Sequence, residues 1–151
     1  MESTLKQKFT ELSRGVYFIG TTPPKENTEL EQVSNIAHKL LARLDEIEYD
    51  GLIVYDIQDE TSRIDKPRPF PFKSTHDPRL YSQILRQQSG REIITYKSVS
   101  QRDEADFSAW LTQAWQGFGV RDLVLVGSPS SAGDIKLPLT DAYHVLAKNP
   151  L

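Results

Sequence analysis

The sequence predicts an α/β domain with a parallel sheet, and two observations carry that prediction. Four apolar, β-branched or aromatic runs recur, at Val16–Ile19, Leu52–Ile57, Ile93–Tyr96 and Leu123–Val126, and each reads as a strand. The segments between them have helical periodicity, so strand and helix alternate at intervals of roughly thirty to forty residues, the spacing of βαβ units. Ligands of such sheets collect at the carboxyl ends of the strands, where the loops converge.

The first long helix places Leu30, Val33, Ile36, Ala37, Leu40, Leu41 and Leu44 on one face, with Thr28 and Glu31 spaced as a capping box at its start. The second opens with Asp77 as N-cap and Pro78 at the first helical position, turns Leu80, Tyr81, Ile84 and Leu85 inward, and stops near Gly90. The third is opened by Asp103, carries Phe107, Trp110, Leu111, Ala114, Trp115 and Phe118 on one stripe, and ends at Gly119. A fourth follows Pro138 with Tyr143, Leu146 and Ala147 inward, and Leu5, Phe9 and Leu12 predict a short leading helix.

Composition narrows the function classes. The chain has 151 residues, enough for one domain with its own core, and 38% of them are hydrophobic. Eighteen Lys plus Arg against twenty-one Asp plus Glu give a net charge of −3 with no long block of one sign, which favours neither nucleic acid nor an anionic membrane. Without cysteine there is no disulfide, thiolate metal site or thiol nucleophile. The amino terminus has no secretory apolar core and no run is long enough to span a bilayer, so a soluble cytoplasmic protein is expected. His38, His76 and His144 are scattered and predict no metal site. No G-x-G-x-x-G follows a strand, and no P-loop or G-x-S-x-G elbow occurs.

The strand ends hold the candidate site. Thr21 and Thr22 precede Pro23-Pro24 after the first strand; Asp56, Gln58, Asp59 and Glu60 follow the second; Tyr96, Lys97 and Ser98 close the third; Gly127, Ser128, Ser130 and Ser131 follow the fourth. Any one of them is equally good turn chemistry, but together they would line one polar rim. Asp56 is the sharpest, because an acid that ends an apolar strand is partly desolvated. It must be hydrogen-bonded, paired with a cation such as Arg63 or Lys97, or used in proton transfer. The long loop from Gln58 to His76 interleaves Arg63, Lys66, Arg68 and Lys73 with Pro67, Pro69 and Pro71, and could hold cationic forks over an anion or serve as a contact in which Phe70 and Phe72 pack down.

The order of elements, with a first strand ending in Pro23-Pro24-Lys25, a second reading Leu52-Ile53-Val54-Tyr55-Asp56 and a fourth reading Leu123-Val124-Leu125-Val126-Gly127, resembles the methylenetetrahydrofolate reductase family, especially its divergent short bacterial members. The resemblance runs from about Val16 to Ala147. It implies a (β/α)8 TIM barrel of which residues 1–151 form the amino-terminal half as a single domain, since about four βα units stand here against the eight, in about 250 residues, of a complete barrel. It further implies FAD at the carboxyl ends of the strands, NAD(P)H as electron donor, a folate or related small molecule as substrate in one-carbon metabolism, and either self-association or a missing carboxyl-terminal half. On that reading Asp56 is the catalytic candidate, and Thr21, Thr22, Gln58, Tyr96, Ser98, Gly127 and Ser128 face the cofactor.

Two positions depart from the family pattern. The proton-donating acid of Glu-x-x-Pro-Pro aligns with Gly20 of Gly20-Thr21-Thr22-Pro23-Pro24, and the Gly-Asp that ends the fourth strand is here Gly127-Ser128. The competing expectations are a non-catalytic barrel-derived module that binds a ligand or a protein, and an open flavodoxin-like domain that binds a mononucleotide.

Overall fold

The computed structural model describes residues 4–11, 13–58, 69–70, 73–127 and 135–149. Its elements run α1 (Thr4–Thr10), β1 (Phe18–Thr21), α2 (Leu30–Leu44), β2 (Gly51–Val54), α3 (Pro78–Ser89), β3 (Glu92–Ser98), α4 (Glu104–Gln116), β4 (Asp122–Val126) and α5 (Leu139–Lys148). The four strands form one parallel sheet in the order β1-β2-β3-β4. Each strand therefore lies beside the next in sequence, joined through a helix. A flavodoxin-like sheet reverses its order after the first strand, and this one has no reversal. Among the described residues no helix is long and apolar enough to cross a membrane.

Strand periodicity decides which side is covered. Along β3, Ile93, Thr95 and Lys97 are buried while Ile94, Tyr96 and Ser98 are half-exposed, and in β2 Leu52 and Val54 are buried where Ile53 is not. The buried set packs on the helices in two clusters. Val33, Ala37 and Leu44 of α2 and Tyr81 and Leu85 of α3 meet Leu52, Val54 and Ile93; Phe107, Trp110, Leu111 and Ala114 of α4 and Ala142 and Val145 of α5 meet Leu125, Val99 and Val120. The other sheet face carries Ile53, Tyr55, Ile94, Tyr96 and Val124, and Tyr55 meets Tyr96 edge to face with ring centroids 5.1 Å apart.

Local chemistry fixes the helix ends. At α3 the Asp77 carboxylate accepts the Arg79 N–H, Pro78 fills the first position, and Gly90 adopts φ 66°, the left-handed region that glycine enters without strain. Asp103 likewise accepts the Asp106 N–H and starts α4. The capping box expected at Thr28 and Glu31 does not form. Thr28 N–H is spent on a turn to the Lys25 carbonyl, and α2 begins one residue later behind Glu29, which makes no side-chain cap. On the α2 face Leu30 and Ile36 are exposed rather than inward. The α4 helix ends at Gln116, and Gly119 takes its positive φ two residues beyond the Gly117 C-cap. In α5 the inward residues are Ala142, Val145 and Leu146, whereas Tyr143 and Ala147 face outward, because the register from Pro138 puts the small residue Ala142 against α4.

Helix α1 closes the amino-terminal end of the sheet. Thr4 donates from both its N–H and its hydroxyl to Glu92 Oε1, Phe9 stacks on Phe18, and Lys8 reaches Asp50.

Candidate functional site

Opposite that plug, the loops after β2 and β3 and the start of α3 enclose a polar cavity of 430 Å³ lined by Asp56, Gln58, His76, Lys97, Ser98 and Arg102, with Trp110 in its wall. It lies at the carboxyl ends of the strands. Its construction follows from the pleat. Lys97 belongs to the helix-facing set of β3, so its stem runs between sheet and helices and its ammonium emerges 5.3 Å from the centroid of the Trp110 ring.

There the ammonium meets Asp56. Lys97 Nζ donates to Asp56 Oδ2 at 3.0 Å, and each side chain is only 5% exposed. The Ser98 N–H donates to the same oxygen at 2.8 Å, and Gln58 Nε2 donates to Oδ1 at 2.6 Å. Asp56 thus combines two of the roles open to it in the sequence: it is hydrogen-bonded, and it is paired with a cation, which is Lys97. Burial pulls the Lys97 ammonium below the ordinary lysine value, and the charge and hydrogen bond of Asp56 oppose that pull.

The rest of the wall is rigid. Arg79 engages both oxygens of Asp77, donates to the Trp110 carbonyl, and stacks between Trp110 and Phe118 at 4.8 and 5.0 Å. Burial raises the Asp77 carboxyl, but the hydrogen bonds from Arg79 outweigh it and hold the group below the usual aspartate value. The segment 73–76 pairs with the loop after β1: Lys25 bridges Thr75, Glu26 N–H donates to the Ser74 carbonyl, and His76 donates from its backbone N–H to Pro24 and from Nε2 to the Thr28 carbonyl. This partition separates the polar cavity from an apolar cleft of 620 Å³ lined by Thr22, Pro23, Pro24, Ile36, Ile57 and Phe70. Thr75 borders both, and its hydroxyl is buried without a partner among the described residues.

The residues expected to form one rim therefore fall in several places. Asp56, Gln58 and Ser98 share the polar cavity. Thr22 lines the apolar cleft. Thr21 turns toward α3, where its hydrogen bond with Tyr81 offsets part of the rise that burial gives that phenol. Tyr96 lies on the opposite sheet face against Tyr55. Gly127 follows β4, where a side chain would touch Leu139 at 3.5 Å. Ser128, Asp59, Glu60, Arg63, Lys66, Arg68, Ser130 and Ser131 lie outside the described residues. At Gly20, a β-carbon would stand 2.5 Å from the Tyr55 hydroxyl, so that phenol occupies the space where the resemblance implies a carboxylic acid.

The sequence set Lys97 among the strand-end residues of the rim and offered it, beside Arg63, as a possible partner of Asp56. The alternation Ile93, Thr95, Lys97 was the available signal, since it sends a lysine inward.

No family model matches the chain, and no curated protein matches it. Among solved structures it is similar to an uncharacterized protein from Clostridium thermocellum that binds two copies of 5-methyl-5,6,7,8-tetrahydrofolic acid, with a TM-score of 0.68 and 30% identity. The match covers 96% of this chain and 44% of that one, so the chain spans less than half the length of its neighbour.

Proposed function

We propose that this chain is a reduced-folate-binding domain whose ligand enters the cavity around Asp56. The observation that carries the reading is the likeness, over 96% of the chain at 30% identity, to a protein that binds 5-methyltetrahydrofolate. The cavity supports it: it lies at the carboxyl ends of parallel strands, is polar, and has the indole of Trp110 in its wall, suited to a flat heterocycle with many hydrogen-bonding edges. We further infer that the singly wound sheet is one arc of a (β/α)8 barrel, whose remaining units would cover the face that carries Ile53, Tyr55, Ile94 and Tyr96.

The finer reading, an FAD-linked, NAD(P)H-dependent oxidoreductase resembling methylenetetrahydrofolate reductase, is a separate proposal. Thr21, Thr22, Tyr96 and Ser98 do not converge on one cradle for a flavin ring, and Gly20 is overlain by Tyr55. Asp56, with three donors on its carboxylate, serves here by holding the groups around it.

Calorimetric titration of the purified chain with 5-methyltetrahydrofolate tests the folate reading. Saturable binding is expected, and heats no different from dilution would refute it. The visible absorption spectrum of the same sample tests the flavin reading, since a bound flavin adds a visible band that a reduced folate lacks.

A further inference from the structure

The hydrogen bonds of Asp56 leave two heads of opposite polarity beside the cavity. A carboxylate accepts and does not donate, so the end of the Gln58 amide that faces Asp56 Oδ1 must be its NH₂. The carbonyl oxygen of Gln58 is then the end left to offer. On the other oxygen of the same carboxylate, Lys97 spends one of its three N–H bonds, and among the described residues Asp56 is the one acceptor bonded to Nζ. An ammonium on a side chain only 5% exposed, with one acceptor bonded to it among the described residues, is costly in a cavity wall unless further acceptors meet it. Because the two heads flank the two oxygens of one carboxylate, an acceptor (Gln58 Oε1) and a donor (Lys97 Nζ) stand side by side, and neither can exchange polarity with the other.

We propose that Gln58 and Lys97 form a pair that reads the lactam edge, H–N–C=O, of a fused heterocycle: Gln58 Oε1 accepts the ring N–H and Lys97 Nζ donates to the adjacent ring carbonyl. The inference rests on the folate reading for its choice of heterocycle, a reduced pterin, which carries that edge at N3 and C4. The same edge occurs in a flavin ring. Trp110, held by its contacts with Arg79 and Phe107, forms the wall beside the ammonium. Asp56 is then a positioning residue that fixes the polarity of both heads.

The test uses the full chain and four probes in calorimetric or tryptophan-fluorescence titrations: 5-methyltetrahydrofolate, a simple tetrahydropterin, the 4-amino analogue of that tetrahydropterin, and FMN. The 4-amino analogue inverts the edge, presenting a donor to Lys97 and an acceptor to Gln58, and is expected to bind at least about tenfold more weakly than the 4-oxo form. The variant Gln58→Met leaves Asp56 paired with Lys97 and Ser98; it should weaken the tetrahydropterin about tenfold and erase most of the preference for the 4-oxo ring. Since Lys97→Met alone strips Asp56 of its countercharge, the donor half is read as the difference between Asp56→Asn and the double variant Asp56→Asn, Lys97→Met: adding Lys97→Met should further weaken the 4-oxo tetrahydropterin and leave the 4-amino analogue unchanged. If 5-methyltetrahydrofolate binds but both pterins bind equally, or Gln58→Met changes neither, the lactam pair is overturned and the folate reading stands. If FMN binds with the same dependence on Gln58 while the pterins do not, the pair stands and the folate reading falls. Failure of all four probes to bind refutes both.

Discussion

Two aspartates bracket β2, Asp50 one residue before Gly51 and Asp56 two residues after Val54, and each carboxylate accepts three donors. At the amino-terminal end Asp50 takes Lys8 Nζ at 2.9 Å, Arg14 Nη2 at 2.5 Å and the Tyr17 N–H at 2.9 Å. Those two cations are part of the surface, 31% and 49% exposed, and they tie α1 and the segment before β1 to the sheet. At the carboxyl-terminal end the cation, Lys97, is 5% exposed, and its network borders a cavity. The same side chain with the same number of donors thus makes a clamp at one end and part of a cavity wall at the other. What differs is where the partners come from. Asp50 gathers groups from earlier in the chain and joins them, whereas Asp56 gathers groups from the residues that line the polar cavity.

That contrast can be broken by substitution. The largest effect is expected for Lys97→Met, which leaves the buried Asp56 carboxylate without its countercharge and should cost about 3–5 kcal/mol in urea denaturation. The double variant Asp56→Asn, Lys97→Met should recover most of that loss, and a cycle showing simple additivity would mean that the pair is not coupled.

Asp50 is expected to show itself in acid. The Tyr17 N–H, and then Lys8, hold its carboxyl well below the usual aspartate range. A depressed carboxyl contributes stability that is fully present above the unfolded-state value, near pH 4, and is lost as pH falls through the folded value. Asp50→Asn should therefore lower stability at neutral pH and flatten the acid limb of the stability profile, with folate affinity unchanged. An unaltered acid limb would remove Asp50 from its role as clamp.

A third acid calibrates the comparison. Asp103 is also at the carboxyl end, but its carboxylate caps α4 through the Asp106 N–H at 2.8 Å. Asp103→Ala should cost about 1 kcal/mol in a thermal or urea melt and leave ligand binding alone. A loss of binding there would extend the site beyond the Asp56 network.

The parts legible in the sequence were those set by neighbours in the chain. Asp77-Pro78, Gly90 and Asp103 mark helix ends by chemistry contained within a few residues, and they stand where the sequence puts them. The strands were found but their limits moved. Tyr17 offers its N–H to Asp50 instead of a ladder, so β1 starts at Phe18, and β2 stops at Val54, level with the end of its pairing to Thr21. Thr28 is no cap because α2 starts at Leu30 behind Glu29, while the Thr28 N–H turns back to Lys25 in a segment that pairs with 73–76, a contact between distant segments. The candidate site was legible in the same measure. Asp56 and Gln58 could be picked from the end of an apolar run, but the pairing of Asp56 with Lys97 and the separation of Thr22 and Tyr96 from the cavity depend on pleat direction and on how distant segments meet.

If the proposed site is correct, ligand enters at the Asp56 end of β2 and not at the Asp50 end, and an amide chemical-shift map of the full chain during titration with 5-methyltetrahydrofolate distinguishes the two. Saturable shifts are expected at Gln58, Lys97, Ser98 and Gln101 and at the Trp110 indole, with Tyr17, Asp50 and Gly51 unmoved. Shifts centred on Tyr17 and Asp50, or a spectrum that does not change at saturating ligand, would contradict the proposed site.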